Sequence, residues 1–296
     1  MNCKHIRIVS PSGVIDPNYV KGAVRRLEGW GYRVSIGAHA LGAAGRFSGS
    51  VEERMSDLQR ACDDDGIDII LCSRGGYGLA QYADKIRLNP RQLVVGFSDI
   101  TCLHSLAGQS GISSLHGLMC KHIASLPSQS RALREFRALL EAWSNNEPLP
   151  EVRVPAHKLN RKGCATGILR GGNLSVLYGL RGTALDIPHD GRGTILFIED
   201  ISECAYHIDR MMQSLRMGGI LANLSGLAVG QFSDCDEDPQ MTGSIMSRIA
   251  DMVSEYEYPV CFNFPAGHTD KNLPLMLNTR VRIDITNRGT TLTYNI

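Results

Sequence analysis

An α/β fold on a largely parallel sheet is predicted for this chain of 296 residues, on three observations. Short apolar runs such as Ile6–Val9, Ile67–Cys72 and Leu93–Gly96 alternate with longer amphipathic segments, the pattern of strands joined by crossover helices. Glycine-rich turns, Arg74-Gly75-Gly76-Tyr77-Gly78 first among them, follow predicted parallel strands, where such sheets bind ligands. Beyond a stretch interrupted by Asn145, Asn146, Pro148, Pro150 and Pro155, the apolar runs become more strand-like and less evenly spaced with helices.

Element by element, Ile6–Val9 reads as the first strand. Asp16 and Pro17 supply an N-cap and a first helical position for a helix to about Trp30, which Gly31 ends. Tyr32–Ile36 is the second strand. Ser50 and Glu53 have capping-box spacing ahead of a helix through about Asp63, and Ile67–Cys72 is a buried strand. After the RGGYG turn a short helix is expected to about Ile86, then the Leu93–Gly96 strand, a helix from near Asp99, a strand at Ile112–Leu115 and a long helix at Arg131–Trp143. Ser144 to Lys162 is the predicted linker. It divides a nucleophile-bearing unit, 1–150, from a second unit, 163–296. In the latter, strands are expected at Thr194–Ile198, Leu227–Val229, Val281–Ile285 and Thr291–Tyr294, with helices around Ala205–Met217 and Gly243–Glu255.

Composition narrows the function classes. Hydrophobic content of 43% and charged content of 21% suit a water-soluble globular protein, and a net charge of +1 argues against nucleic acid as a partner. No apolar stretch has membrane-spanning length. The N-terminal residues lack the apolar core of a secretory signal. Nine singly scattered cysteines without a CxxC point to a reducing compartment, so a cytoplasmic protein is expected.

The chemistry centres on Leu93–Thr101, LVVGFSDIT. An apolar strand, a tight turn and a helix start would lift Ser98 clear of the sheet, with the helix's positive end where an oxyanion would form. Serine and aspartate are also favoured as plain helix caps at such a turn. Gly75 or Gly76 could present an unobstructed amide which, with the amide of Asp99, would hold a tetrahedral oxygen; a tight turn needing positive φ explains the same glycines. Neither RGGYG nor Gly171-Gly172-Asn173 has the spacing of a nucleotide-binding loop. Arg74 is either a solvated turn residue or the cation that receives a substrate carboxylate. Phe197-Ile198-Glu199-Asp200 offers carboxylates at a strand end, and Gly267-His268 a loop imidazole. The order Ser98, Glu199, His268 is one used by serine hydrolases.

His116, after a predicted strand, is the alternative base. His104 and His122 fall in expected helices, His5 and His157 near exposed ends or linkers, and His39 and His189 in polar loops. No histidine pair has metal-ligand spacing, so no metal is inferred.

Taken together, VSPSG, FSGSVEER, SRGGYG, GFSDIT, GGNLS, FIED, GQF at Gly230–Phe232 and Gly267-His268 resemble the LD-carboxypeptidase, or muramoyltetrapeptide carboxypeptidase, family from about Ile6 to the C-terminus. The resemblance implies a Rossmann-like N-terminal α/β domain and a smaller β-rich C-terminal domain with the active site between them. It implies a triad of Ser98, His268 and Glu199, oxyanion donors on Asp99 and the RGGYG turn, no cofactor, and a homodimer. The expected substrate is a peptide or muropeptide that loses a C-terminal D-alanine in cell-wall recycling. A microcin-type peptidyl-nucleotide peptidase is the alternative enzyme, disfavoured because the only tryptophans, Trp30 and Trp143, lie far from the motif blocks. A non-catalytic peptide-binding protein is the alternative of another class. The chain departs from the family in having Leu118 where a proline often follows His-Gly, and from the α/β-hydrolase elbow in having Ile100 in place of its final glycine.

Overall fold

The computed structural model of the chain describes residues 3–188 and 191–294, so His189 lies outside the described residues. The first half builds β1 (His5–Val9), α1 (Pro17–Gly29), β2 (Arg33–Ile36), α2 (Val51–Asp63), β3 (Ile69–Cys72), β4 (Leu93–Gly96), α3 (Thr101–Gln109), β5 (Ser114–His116), α4 (Cys120–Ser125) and α5 (Arg131–Asn145). Local chemistry starts the helices as expected. Asp16 accepts from the amide of Asn18 at 2.8 Å ahead of α1. Ser50 and Glu53 close a reciprocal capping box at 3.2 and 2.8 Å ahead of α2.

The second half adds β6 (Val152–Val154), β7 (Gly163–Asn173), α6 (Leu174–Gly179), β8 (Thr194–Ile201), α7 (Ala205–Met217), β9 (Gly226–Ser233), α8 (Ile245–Met252), β10 (Val260–Cys261), β11 (Leu275–Leu277), β12 (Arg280–Thr286) and β13 (Gly289–Tyr294). Two mixed sheets result. The first is ordered β11-β5-β4-β3-β1-β2, parallel throughout except at β11. The second is ordered β10-β9-β8-β7-β12-β13-β6, with β10 to β7 parallel and the rest antiparallel. An α/β fold with a mostly parallel N-terminal sheet is therefore what the chain adopts.

Several expectations are corrected. The stretch expected to be a linker contains β6, whose buried Val152 and Val154 flank exposed Arg153 and pair with β13. Prolines on both sides hide that alternation, and an edge strand tolerates them. The Gly171-Gly172-Asn173 segment closes the 11-residue β7, a strand with four glycines and hence little intrinsic strand preference. The short helix expected after RGGYG is two 3-10 turns, Leu79–Gln81 and Ala83–Lys85. His5 is buried, its ring between the carbonyl of Gly66 and the hydroxyl of Ser35 at 3.0 and 2.6 Å, because β1 lies inside its sheet.

Three apolar clusters hold the layers together. One runs through both sheets, joining Ile6, Leu71, Val95 and Leu115 of the first to Leu169, Phe197, Val281 and Ile283 of the second. β11 laces them covalently, since its residues follow the second sheet's strands in sequence yet pair with β5. Leu118 is fully buried in the shared cluster, so the leucine replacing a proline supplies core volume there.

Candidate active site

β4 ends at Gly96, and within two residues the chain turns into the 3-10 turn Ser98–Ile100 that leads to α3. Ser98 sits at the apex with φ 68, a left-handed conformation that costs a non-glycine residue about 1–3 kcal/mol. Burial of Phe97 and Ile100 on either side holds it there. A nucleophile elbow has this strain and this position at the carboxyl end of a parallel strand.

The RGGYG turn, after β3, lies directly against the serine. A Cβ on Gly75 would stand 2.7 Å from Ser98 Cβ and 2.9 Å from its Oγ, so only glycine fits beneath the hydroxyl. Gly76 takes φ 110. The amides of Gly75, Gly76 and Asp99 donate to no group among the described residues. Donors left open beside a serine are what an oxyanion hole requires.

The Asp99 side chain is not a solvated helix-terminus carboxylate. It is 3% exposed and accepts from Ser12 Oγ at 2.6 Å and from the amide of Leu79 at 2.9 Å, tying the elbow to the turns after β1 and β3. Burial pushes its carboxyl above the usual value, and those two hydrogen bonds pull it back. Arg74 is exposed and donates through Nη1 to the carbonyl of Val14 at 2.7 Å.

Opposite the elbow, Glu199 is carried at the end of β8 where the pairing with β9 slips between Ile198 and Asp200. A bulge of this kind re-aims a side chain. Glu199 is fully buried, and its Oε2 accepts from His268 Nδ1 at 2.7 Å. Its Oε1 has no hydrogen-bond partner, so the imidazole is the sole polar contact of the carboxylate among the described residues. Gly267 makes the approach possible: at φ 129, any Cβ there would lie 2.8 Å from Glu199 Oε2.

The His268 ring packs edge-on against Phe97, the residue before Ser98, with centroids 4.9 Å apart. Three elements thus bring the elbow, an imidazole and a buried carboxylate to one place. Ser98 Oγ and His268 Nε2 form no hydrogen bond to one another. Such contacts are commonly long before substrate arrives and tighten in the complex.

Asp200, the other carboxylate of the FIED segment, faces away from this pair. It accepts from Asn173 Nδ2 at 2.8 Å, the Ser175 amide at 2.9 Å and the Ile201 amide at 2.9 Å. Burial pushes its carboxyl up to about 6. The backbone amide of Asn173 in turn donates to Thr101 Oγ1 at 3.0 Å. The Gly-Gly-Asn segment therefore clamps the start of α3 to β8. Nothing in the sequence distinguished this fastening role from a ligand loop.

His116, the alternative base, is fully buried. Its Nε2 meets Asn272 Oδ1 at 3.3 Å, and the same oxygen accepts the Gly267 amide at 2.8 Å. Burial first, and the nearby His104 second, hold its imidazole well below the ordinary value. It supports the loop that carries His268.

Comparison with known proteins identifies the family. The family model described as LD-carboxypeptidase N-terminal domain matches residues 6–117, and that described as LD-carboxypeptidase C-terminal domain matches residues 166–283. A protein of Bacillus subtilis (strain 168) named "Probable murein peptide carboxypeptidase" is 31% identical over 94% of this chain and 88% of its own length. The murein tetrapeptide carboxypeptidase of Pseudomonas aeruginosa is 29% identical over 90% of this chain and 89% of its own. Among solved structures, muramoyltetrapeptide carboxypeptidase from Oxalobacter formigenes superposes with a TM-score of 0.82 at 26% identity, covering 99% of both chains. The microcin C7 self-immunity protein superposes with a TM-score of 0.85 over 99% of this chain and 96% of its own; at 18% identity it shows a shared fold alone.

Proposed function

The chain belongs to the LD-carboxypeptidase family, and from that premise we propose that it is a serine carboxypeptidase. It hydrolyses the L,D-amide bond that releases C-terminal D-alanine from peptidoglycan-derived tetrapeptides. The observation that carries the reading is the 2.7 Å contact between His268 Nδ1 and buried Glu199, set edge-on against the residue preceding a left-handed serine.

In this mechanism Ser98 Oγ attacks the scissile carbonyl while His268 Nε2 takes its proton. Glu199 holds the ring with Nδ1–H toward itself and stabilises the imidazolium. The amides of Asp99 and of Gly75 or Gly76 receive the oxyanion. The imidazolium then gives its proton to the amine of the departing D-alanine. Water activated by the neutral ring frees the tripeptide from Ser98. Arg74 is assigned the substrate's terminal carboxylate, for which a planar guanidinium suits bidentate pairing.

We further infer a nucleophile-bearing unit at 1–150, a unit with the glutamate and histidine at 163–296, and a cytoplasmic homodimer. Nine free cysteines support a reducing compartment, and no helix among the described residues is long and apolar enough to cross a membrane. Sedimentation at micromolar concentration should give twice the chain mass; a monomer would overturn the dimer.

Mass spectrometry of a tetrapeptide ending in D-alanine tests the activity. Wild type should remove one alanine and Ser98→Ala none. An unchanged peptide with folded wild type would overturn the proposal, as would equal cleavage by both. The tryptophans give the microcin-type alternative no support, because Trp30 and Trp143 both pack against the shared core.

A further inference from the structure

The FSGSVEER stretch supplies Arg54, a residue that the mechanism above leaves unused. Arg54 lies on α2 and is 2% exposed, an unusual place for a guanidinium. Its Nε donates to the carbonyl of Gly49 at 3.2 Å, Nη1 to those of Pro11 at 3.1 Å and Gly78 at 3.2 Å, and Nη2 to Gln81 Oε1 at 2.7 Å. The plane stacks on Phe47 and Tyr82 at 4.7 and 5.4 Å, and the Tyr82 hydroxyl donates to the same Pro11 carbonyl. Three loops, the segment after β1, the approach to α2 and the glycine-rich turn after β3, thus converge on one cation.

Asp99 reaches the same loops from the elbow side. Its carboxylate takes Ser12 Oγ, one residue from Pro11, and the amide of Leu79, one residue from Gly78. The two charged groups therefore grip adjacent residues of the same two loops, and the glycine-rich turn is held between them. Burying a cation and a carboxylate is costly unless each is fully hydrogen-bonded. A turn that needed only to close could do so with neutral groups.

We propose that Arg54 is a positioning residue for the reaction: with Asp99 it fixes the Gly75–Gly76 amides against Ser98 so that the oxyanion hole is formed before substrate binds. This rests on the reading of Ser98 as nucleophile and of the RGGYG turn as oxyanion donor. Preorganised donors act on the transition state and leave ground-state binding nearly unchanged. A lysine keeps the charge but cannot reach four acceptors in a plane.

The test uses Arg54→Lys and Arg54→Gln in the full chain, with folding checked by circular dichroism. Two readouts are taken: steady-state D-alanine release, and the rate at which a fluorophosphonate probe modifies Ser98. The probe forms a tetrahedral phosphorus adduct whose oxygen needs the same hole, and it requires no knowledge of the natural substrate. We expect kcat and the probe rate to fall together, by roughly 10- to 100-fold, with KM within about threefold of wild type, since losing one oxyanion donor outright costs about 10²–10³.

Folded variants whose probe rate stays within about threefold of wild type overturn the proposal, as does a loss confined to KM. A wild-type protein that the probe does not label at Ser98 overturns the serine mechanism itself, which is a different result. Should both Arg54 variants fail to fold, Gln81→Ala removes one acceptor of the guanidinium at a less central point. It is expected to lower kcat and probe rate together by about three- to tenfold, and an unchanged probe rate there overturns the proposal equally.

Discussion

Gly75 and Ser98 approach so closely that their chemistry cannot be separated. A methyl group on Gly75 would need the space that Ser98 Cβ and Oγ occupy. Either the serine rotates off its position or the amide of the turn retreats, and both move a group proposed to take part in the reaction by a fraction of an ångström. Gly75→Ala should therefore lower kcat by about 10- to 100-fold, the scale of an impaired oxyanion donor, while the thermal midpoint moves by only a few degrees. Steady-state kinetics and a melting curve on the same sample check this, and unchanged kcat would place the turn outside the mechanism. The type and order of Ser98, Glu199 and His268 were legible because a hydroxyl, a carboxylate and an imidazole each followed a recognisable strand or turn. The inward course of the Asp99 side chain was not legible, since one local window cannot show that Ser12 and Leu79 lie waiting for it.

Elements set the titration behaviour. α3 turns His104 into the space between β4 and β5, where its ring meets Ser114 Oγ at 2.8 Å and the Gly96 carbonyl at 3.0 Å. Burial pushes this imidazole down to about 4, from 6.5. The unfolded chain then binds more protons than the folded one between those values, so stability is present above about 6.5 and is lost as pH falls toward 4. Asp200 at the end of β8 works the other way. Its carboxyl is raised to about 6 from 3.8, and its contribution is lost as pH rises through that window. Substituting His104 isolates the first effect. From pH 7 to pH 5, wild type should lose about 2 kcal/mol more than His104→Gln, read as the difference in urea midpoints. Equal losses would show that the ring is not held neutral. Helix starts were legible from their caps, as at Asp16 and Ser50. β7 and β6 were not, because glycine in one and flanking prolines around the other suppress the local strand signal that long-range pairing restores.

Across the whole molecule, the elbow comes from one sheet and the His268–Glu199 pair from the other. The apolar cluster common to both sheets fixes their separation, and β11 fastens the segment after His268 to β5 of the first. This crossing was invisible in sequence, where Leu275–Leu277 is only a three-residue apolar run. The motif blocks singled out Glu199 and His268, which pair, whereas bringing that pair beside the elbow depends on pairing between strands more than a hundred residues apart in sequence, Leu275 with His116 among them.

Ser98 and His268 are proposed to act as one catalytic unit, with Glu199 behind the imidazole. Residues of such a unit give strongly non-additive losses. D-alanine release should be measured for Ser98→Ala, His268→Ala and the double variant under single-turnover conditions. Each single variant should lose several orders of magnitude, and the double variant should be no worse than either. Losses that multiply, or a His268→Ala enzyme that keeps wild-type turnover, would show that the two residues do not act together.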